Sequence, residues 1–255
     1  MPFLLLAAFG AAAGLLGALF GIGGGIIVVP ALSELLGVPF RHAIAASLVV
    51  IIASSSASSA AYVERGAANL RVGVVLELAT VTGSLLGSAA AGVAPVRVLK
   101  LLFAGVAIYA ATMLWARRHA VSESADAAAH EVHGWLPGLS VSVVAGAVSG
   151  LLGVGGGLFK MPAMTLGMGI PYKVAAATSN FMIGVTAAAG AYVYFARGEL
   201  EPGIAAPLVV GVFGGSLLGS SLLQRLPARR LQPAFAVVLV VLGGRMAWHA
   251  LRGGP

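Results

Sequence analysis

Residues 21–30 read Gly-Ile-Gly-Gly-Gly-Ile-Ile-Val-Val-Pro, and residues 153–162 read Gly-Val-Gly-Gly-Gly-Leu-Phe-Lys-Met-Pro. The two stretches lie 132 positions apart. Without a gap, the same offset carries Pro39 onto Pro171, Ser47 onto Ser179, Tyr62 onto Tyr194 and Arg65-Gly66 onto Arg197-Gly198. It also carries Gly83-Ser-Leu-Leu-Gly-Ser88 onto Gly215-Ser-Leu-Leu-Gly-Ser220, Pro95 onto Pro227 and Arg97 onto Arg229. A bias toward Ala, Leu and Gly does not hold prolines and arginines in register over such a length, so the chain is a duplication. Its halves are 1–118 and 135–255. Residues 119–134, with Glu123, Asp126 and Glu131, read as a polar linker.

Of the 255 residues, 59% are hydrophobic and 9% charged, against the roughly 25% charged of a soluble domain. Apolar stretches run over 3–33, 43–63, 78–96, 101–116, 136–159, 174–196, 203–224 and 231–244, and most approach the ~20 residues that a spanning helix needs. The expected fold class is an all-α integral membrane protein of two homologous helical repeats, with eight hydrophobic segments and about ten helical pieces. The opening apolar residues lack the basic start of a signal peptide and align with the interior of the chain, so they read as part of the fold. The net charge of +7 sits at segment ends, where lipid headgroups and snorkelling account for it; nucleic acid is not an expected partner. With no cysteine, thiolate metal sites and disulfides are excluded. His119, His130, Glu131 and His133 do not follow a zinc spacing, and no metal or other cofactor is expected.

Residues 3–36 as one straight helix would extend about 51 Å, against a hydrocarbon core near 30 Å. The segment has to break, and the triple glycines Gly23-Gly24-Gly25 and Gly155-Gly156-Gly157 are where it breaks, since glycine weakens a helix and reaches backbone angles closed to other residues. Pro30 and Pro162 follow at equal distance. This predicts a helix, a glycine-rich turn and a second limb of about a dozen residues in each half. If the limbs together cross twice, each half crosses five times and the repeats are inverted; a single crossing makes them parallel. A helix interrupted in lipid leaves amides without partners, and an anion can satisfy them at the positive end of the second limb. Spacings such as Gly10 to Gly14, Gly83 to Gly87 and Gly211 to Gly215 read instead as close helix packing.

Lys160 is a cation inside the second broken segment, facing Val28 in the repeat register; it either lines a pathway or snorkels to the interface. Ser47 in one half and Thr178, Ser179 and Asn180 in the other open the following segment with uncharged hydrogen-bonding groups. Together with the two glycine triplets and Lys160 they are the candidate substrate-binding residues. Glu34 and Glu77 read as interfacial glutamates, with proton carriage as the alternative. Trp115, Trp135, Tyr194 and Trp248 fall where an aromatic belt is expected.

The glycine-triplet and proline segments at 21–30 and 153–162, with the Gly-Ser-Leu-Leu-Gly pair at 83 and 215, resemble the TauE/SafE family of sulfite exporters and related permeases. The resemblance covers nearly the whole chain. It implies a secondary transporter in the cell (inner or plasma) membrane that carries sulfite, sulfoacetate or another small sulfur-containing or organic anion, with lipid and that anion as partners. A structural or assembly membrane protein and an intramembrane enzyme are the alternatives; no catalytic residues are expected, and homo-oligomerisation is left open.

Overall fold

The structure, a computed structural model, describes residues 3–20, 24–64, 66–117, 133–223 and 228–252. The first half contains α1 (Phe3–Phe20), α2 (Gly25–Pro30), α3 (Phe40–Glu64), α4 (Leu70–Val93) and α5 (Val96–Arg117). The second contains α6 (Trp135–Leu152), α7 (Gly157–Pro162), α8 (Tyr172–Ala196), α9 (Pro202–Leu223) and α10 (Ala228–Arg252). Each short helix runs on into a π-helical turn, Ala31–Leu35 after α2 and Ala163–Gly167 after α7. Pro30 and Pro162 sit at those junctions. A proline has no N–H to return to the carbonyl four residues back, so the ladder loosens there and continues with a wider turn.

The outside of the molecule is apolar and much of its inside is polar. Leu4, Leu78, Val93, Leu136 and Leu166 are exposed while Ser47, Ser84, Ser88, Ser149, Thr80, Thr178 and Thr186 are buried. Water would reverse that distribution; a hydrocarbon solvent permits it. Among the described residues, five helices are long and apolar enough to span a bilayer, and shorter apolar helices cover 3–17, 25–35 and 202–218.

The directions of six helices follow from their contacts and connections. Gly10 lies against Leu208 and Gly14 against Val212, so α1 and α9 run parallel. Gly83 against Val143 and Gly87 against Ala147 make α4 and α6 parallel in the same way. On each of these glycines a Cβ would collide with the partner's backbone, so the small-residue spacings are close-packed seams. α3 and α8 cross antiparallel: Ser55 meets Gly184, and Leu48 meets Gly190. The connections 65–69 and 197–201 are too short to return along a full helix, so α4 opposes α3 and α9 opposes α8. Thus α1, α3 and α9 point one way, and α4, α6 and α8 the other. The opening helices of the two halves are opposed, which makes the repeats inverted.

The broken segments double back. Gly24 packs beside Ala13, and Gly156 beside Ala145, each a full limb earlier in the chain. At the far end of the second hairpin, Gly138 meets Met168. Left-handed φ angles of +73° at Gly24 and +65° at Gly156 make the reversal, a conformation that side-chain-bearing residues adopt only under strain. Each hairpin then packs against the other half, α1 on α9 and α6 on α4, so the halves interlock.

Tyr194 departs from the aromatic-belt expectation. It is fully buried, donates its hydroxyl to the Gly150 carbonyl at 3.0 Å and lies under the Arg197 guanidinium, 4.5 Å from the ring centre. Its helix faces the interior at that position, and its hydroxyl finds a carbonyl there rather than an interface. Trp115 and Trp248 are exposed near helix ends, as expected of a belt.

Candidate functional site

The two hairpin tips meet at the centre of the fold. A Cβ on Gly25 would collide with the Gly153 carbonyl oxygen and with Ile51. Gly155 rests between Ile51 and Ile183, and Gly157 lies against Ile183 and Ser179. Ile51 and Ile183 are repeat equivalents, so the pseudo-two-fold axis passes between them. Ser47 ties α3 to the second tip: its hydroxyl lies within hydrogen-bonding distance of the Ile44 carbonyl, 2.7 Å, and the Gly153 carbonyl, 2.9 Å.

Beside the second tip is a buried charged cluster. Lys160 starts its course in the first turn of α7, where its N–H donates to the Gly156 carbonyl, and is only 1% exposed. Its Nζ donates to Thr186 Oγ1 at 2.7 Å and to Glu77 Oε2 at 3.3 Å. Thr186 in turn donates to Glu77 Oε1 at 2.6 Å, and Thr80 donates to Glu77 Oε2 at 2.9 Å. Both carboxylate oxygens are therefore engaged, and three helices (α4, α7 and α8) are tied at one point. Burial excludes snorkelling for Lys160. A lone ammonium at this depth is unfavourable by several kcal/mol, and the partner that makes it tolerable here is a carboxylate of the chain itself.

Glu77 is thereby corrected from interfacial to interior. The apolar stretch beginning at 78 places it at a segment edge, but α4 begins earlier, at Leu70, because Asn69 caps it: the Asn69 side chain accepts from the Val72 N–H at 3.1 Å. The signal was present in the sequence as an asparagine directly before the helical run. Glu34 stays among helix ends, as its sequence position suggests, but is paired there. Its side chain is 1% exposed and lies 2.8 Å from His249 Nδ1 and 3.6 Å from Lys100 Nζ. It borders a cavity of about 780 Å3 lined also by Phe40, Trp248 and Arg252.

Of the other sequence candidates, Ser179 is buried against Gly157, and its hydroxyl has no hydrogen-bond partner. Ser149, against Gly156, is orphaned in the same way; it is absent from the sequence candidates because its repeat equivalent, Gly17, carries no hydroxyl. Two buried unsatisfied hydroxyls beside one glycine turn are unusual. Thr178 is committed elsewhere, accepting from the Asn69 N–H at 2.9 Å. Asn180 is half-buried, and its backbone carbonyl accepts from Ser55 at 2.6 Å. Gly23, His119, His130 and Glu131 lie outside the described residues.

Helical hairpins broken at glycine turns that meet inside the fold, inverted repeats and an ion pair inside the bundle define a multi-pass membrane transporter. The comparisons agree. The model of the family "Sulfite exporter TauE/SafE" matches residues 6–246, and the chain belongs to that family. Bacillus subtilis (strain 168) has a relative named "Probable membrane transporter protein YunE", 27% identical, the match covering 98% of this chain and 99% of that protein. One from Methanocaldococcus jannaschii, "Probable membrane transporter protein MJ0441", is 26% identical over 95% of this chain and 94% of its own. A "Probable membrane transporter protein" of Xylella fastidiosa (strain Temecula1) is 28% identical over 91% and 90%. No solved structure matches the chain.

Proposed function

We propose that the chain moves a small anion, sulfite, sulfoacetate or a related sulfur-containing or organic anion, across the cell membrane, and that the anion binds at the tip of the second hairpin. The observation that carries this reading is the buried Lys160 beside the glycine turn, with the orphaned hydroxyls of Ser149 and Ser179 next to Gly156 and Gly157. Lys160 supplies the fixed positive charge. The two hydroxyls supply donors, and the backbone of Gly155, Gly156 and Gly157 supplies close approach, since no side chain shields it. Asn180 completes the second-half set. Gly24 and Gly25 form the facing tip, with Gly23 assigned to the same set by its place in the sequence triplet; Ser47 ties α3 to the Gly153 carbonyl, and Thr178 holds α4 in place. The units 1–118 and 135–255, joined by 119–134, contribute one hairpin tip each to the site.

The test uses protein in proteoliposomes against a panel of sulfite, thiosulfate, sulfoacetate and simple carboxylates, with thermal unfolding of the purified protein in the same anions. A bound anion raises the melting temperature in proportion to the logarithm of its concentration above Kd. Flux of at least one sulfur-containing anion, lost in Lys160→Met, is the expected result. Undiminished flux in that variant moves the site away from the second tip.

A further inference from the structure

We infer that Glu77 is the site of proton coupling: an anion reaches Lys160 only when the Glu77 carboxylate takes up a proton, so that each single negative charge enters with one proton. This rests on the anion site proposed above. Without ligand, the cluster is one ammonium and one carboxylate, electrically neutral, with both Glu77 oxygens and Lys160 Nζ committed to one another, to Thr186 and to Thr80.

An arriving monoanion has two consequences. It competes with the carboxylate for Lys160, and it changes the net charge of a buried site from zero to minus one, which a low-dielectric interior strongly disfavours. A proton on Glu77 removes both difficulties. The carboxyl becomes a neutral donor, Lys160 pairs with the anion, and the total charge returns to zero. When the anion leaves, Glu77 releases the proton to water and re-forms its pair with Lys160. Nothing is oxidised or reduced, and one proton and one anion move in each step.

Among the residues whose side chains are described, the elements packed around Glu77 offer no other charge for the role. α6, which packs on α4, carries no ionisable side chain over Trp135–Leu152. On α8, Tyr194 is turned to the Gly150 carbonyl, and Tyr192 is exposed on the outer surface. The π-turn after α7 contains none. Arg71, on α4 itself, is exposed at the helix start. Glu34, on the first hairpin, lies against Lys100 and His249 rather than this cluster. At the repeat-equivalent place the sequence has Val28, Val209 and Ser54, so the first half has no matching charged pair.

The experiment measures proton uptake on binding, by titration calorimetry in two buffers of different ionisation heat, using sulfoacetate and methanesulfonate. Methanesulfonate has no group that titrates near neutral pH, so a proton taken up with it goes to the protein; sulfoacetate, whose carboxylate can also take up a proton, serves as the comparison for a second negative charge. About one proton per methanesulfonate bound to the unmodified protein, and affinity falling about tenfold per pH unit above neutrality, are expected. Glu77→Gln should bind with no uptake and no pH dependence, and added anion should stabilise it more than the parent, because its Lys160 has no internal partner. Glu34→Gln should behave like the parent.

Anion binding to the unmodified protein with no proton uptake overturns the coupling while leaving the site reading intact. Uptake that persists in Glu77→Gln but disappears in Glu34→Gln moves the carrier to the first hairpin, and so overturns it too. If no anion of the panel binds the unmodified protein, the site reading and the coupling fall together. If Glu77→Gln does not fold, absence of uptake by the unmodified protein, or its loss in Glu34→Gln, still overturns the coupling at Glu77.

Discussion

Gly25 lies directly against the carbonyl of Gly153, so the tip of one broken helix touches the tip of its inverted copy. Neither residue has a side chain to hold them apart. The contact joins two segments that are far apart in the chain.

The left-handed turns of Gly24 and Gly156 are the first point to test. A side chain in that conformation is strained by about 1–2 kcal/mol, and a Cβ would stand 2.9 Å from the Ala13 carbonyl oxygen in the first case and 3.0 Å from the Ala145 oxygen in the second. Gly24→Val and Gly156→Val are expected to reach the membrane and to lose transport in proteoliposomes. Normal flux through both would return these glycines to a packing role.

Lys160→Met alone is expected to destabilise the protein, by about 3–5 kcal/mol if Glu77 stays ionised, because it leaves a buried carboxylate without its partner. This differs from the expectation for a lysine isolated in lipid, whose removal would be neutral or stabilising. The double variant Lys160→Met with Glu77→Gln should recover most of the lost stability in thermal unfolding in detergent and still bind no anion. Equal melting temperatures for the parent and the single variant would mean that the two groups are not coupled.

Opposed opening helices put equivalent loops on opposite sides of the membrane. Single cysteines at Arg65 and Arg197, in a chain with no native cysteine, should react with an impermeant maleimide from opposite faces. Labelling of both from one face would contradict the inverted arrangement.

The seams between the halves depend on particular glycines. Gly83→Leu and Gly215→Leu, repeat equivalents whose Cβ would strike the backbone of α6 and of α1, should both fail to give stable protein, whereas Gly214→Leu, with nothing within 4 Å of its Cβ, should be tolerated. Yield of monodisperse protein after size-exclusion chromatography in detergent reads the difference.

Tyr194→Phe should lower stability by about 0.5–1.5 kcal/mol, the usual net worth of one hydrogen bond, here the one to the Gly150 carbonyl at 3.0 Å. Melting temperature measures it. A loss of transport without a change in stability would show instead that the hydroxyl acts on the second hairpin during the cycle.

Much of the architecture was written along the chain. Composition and segment length require a lipid solvent, the 132-residue offset requires a duplication, and three consecutive glycines in a segment too long for one crossing require a break, because each of these depends on local backbone preference or on the length of a helix against the bilayer. The pairing of elements depends on neither. That α1 packs on α9 and α6 on α4, and that Glu77 meets Lys160 across 83 positions of sequence, follow from seams where glycine lets two backbones close together, and only the folded chain decides which seams meet. The same holds for function. The sequence marks Lys160 as a cation that lipid disfavours, but the helix start at Asn69 and the parallel packing of α4 and α8 decide that a carboxylate neutralises it, and that the hydroxyls of Ser149 and Ser179 beside the tip are left without partners.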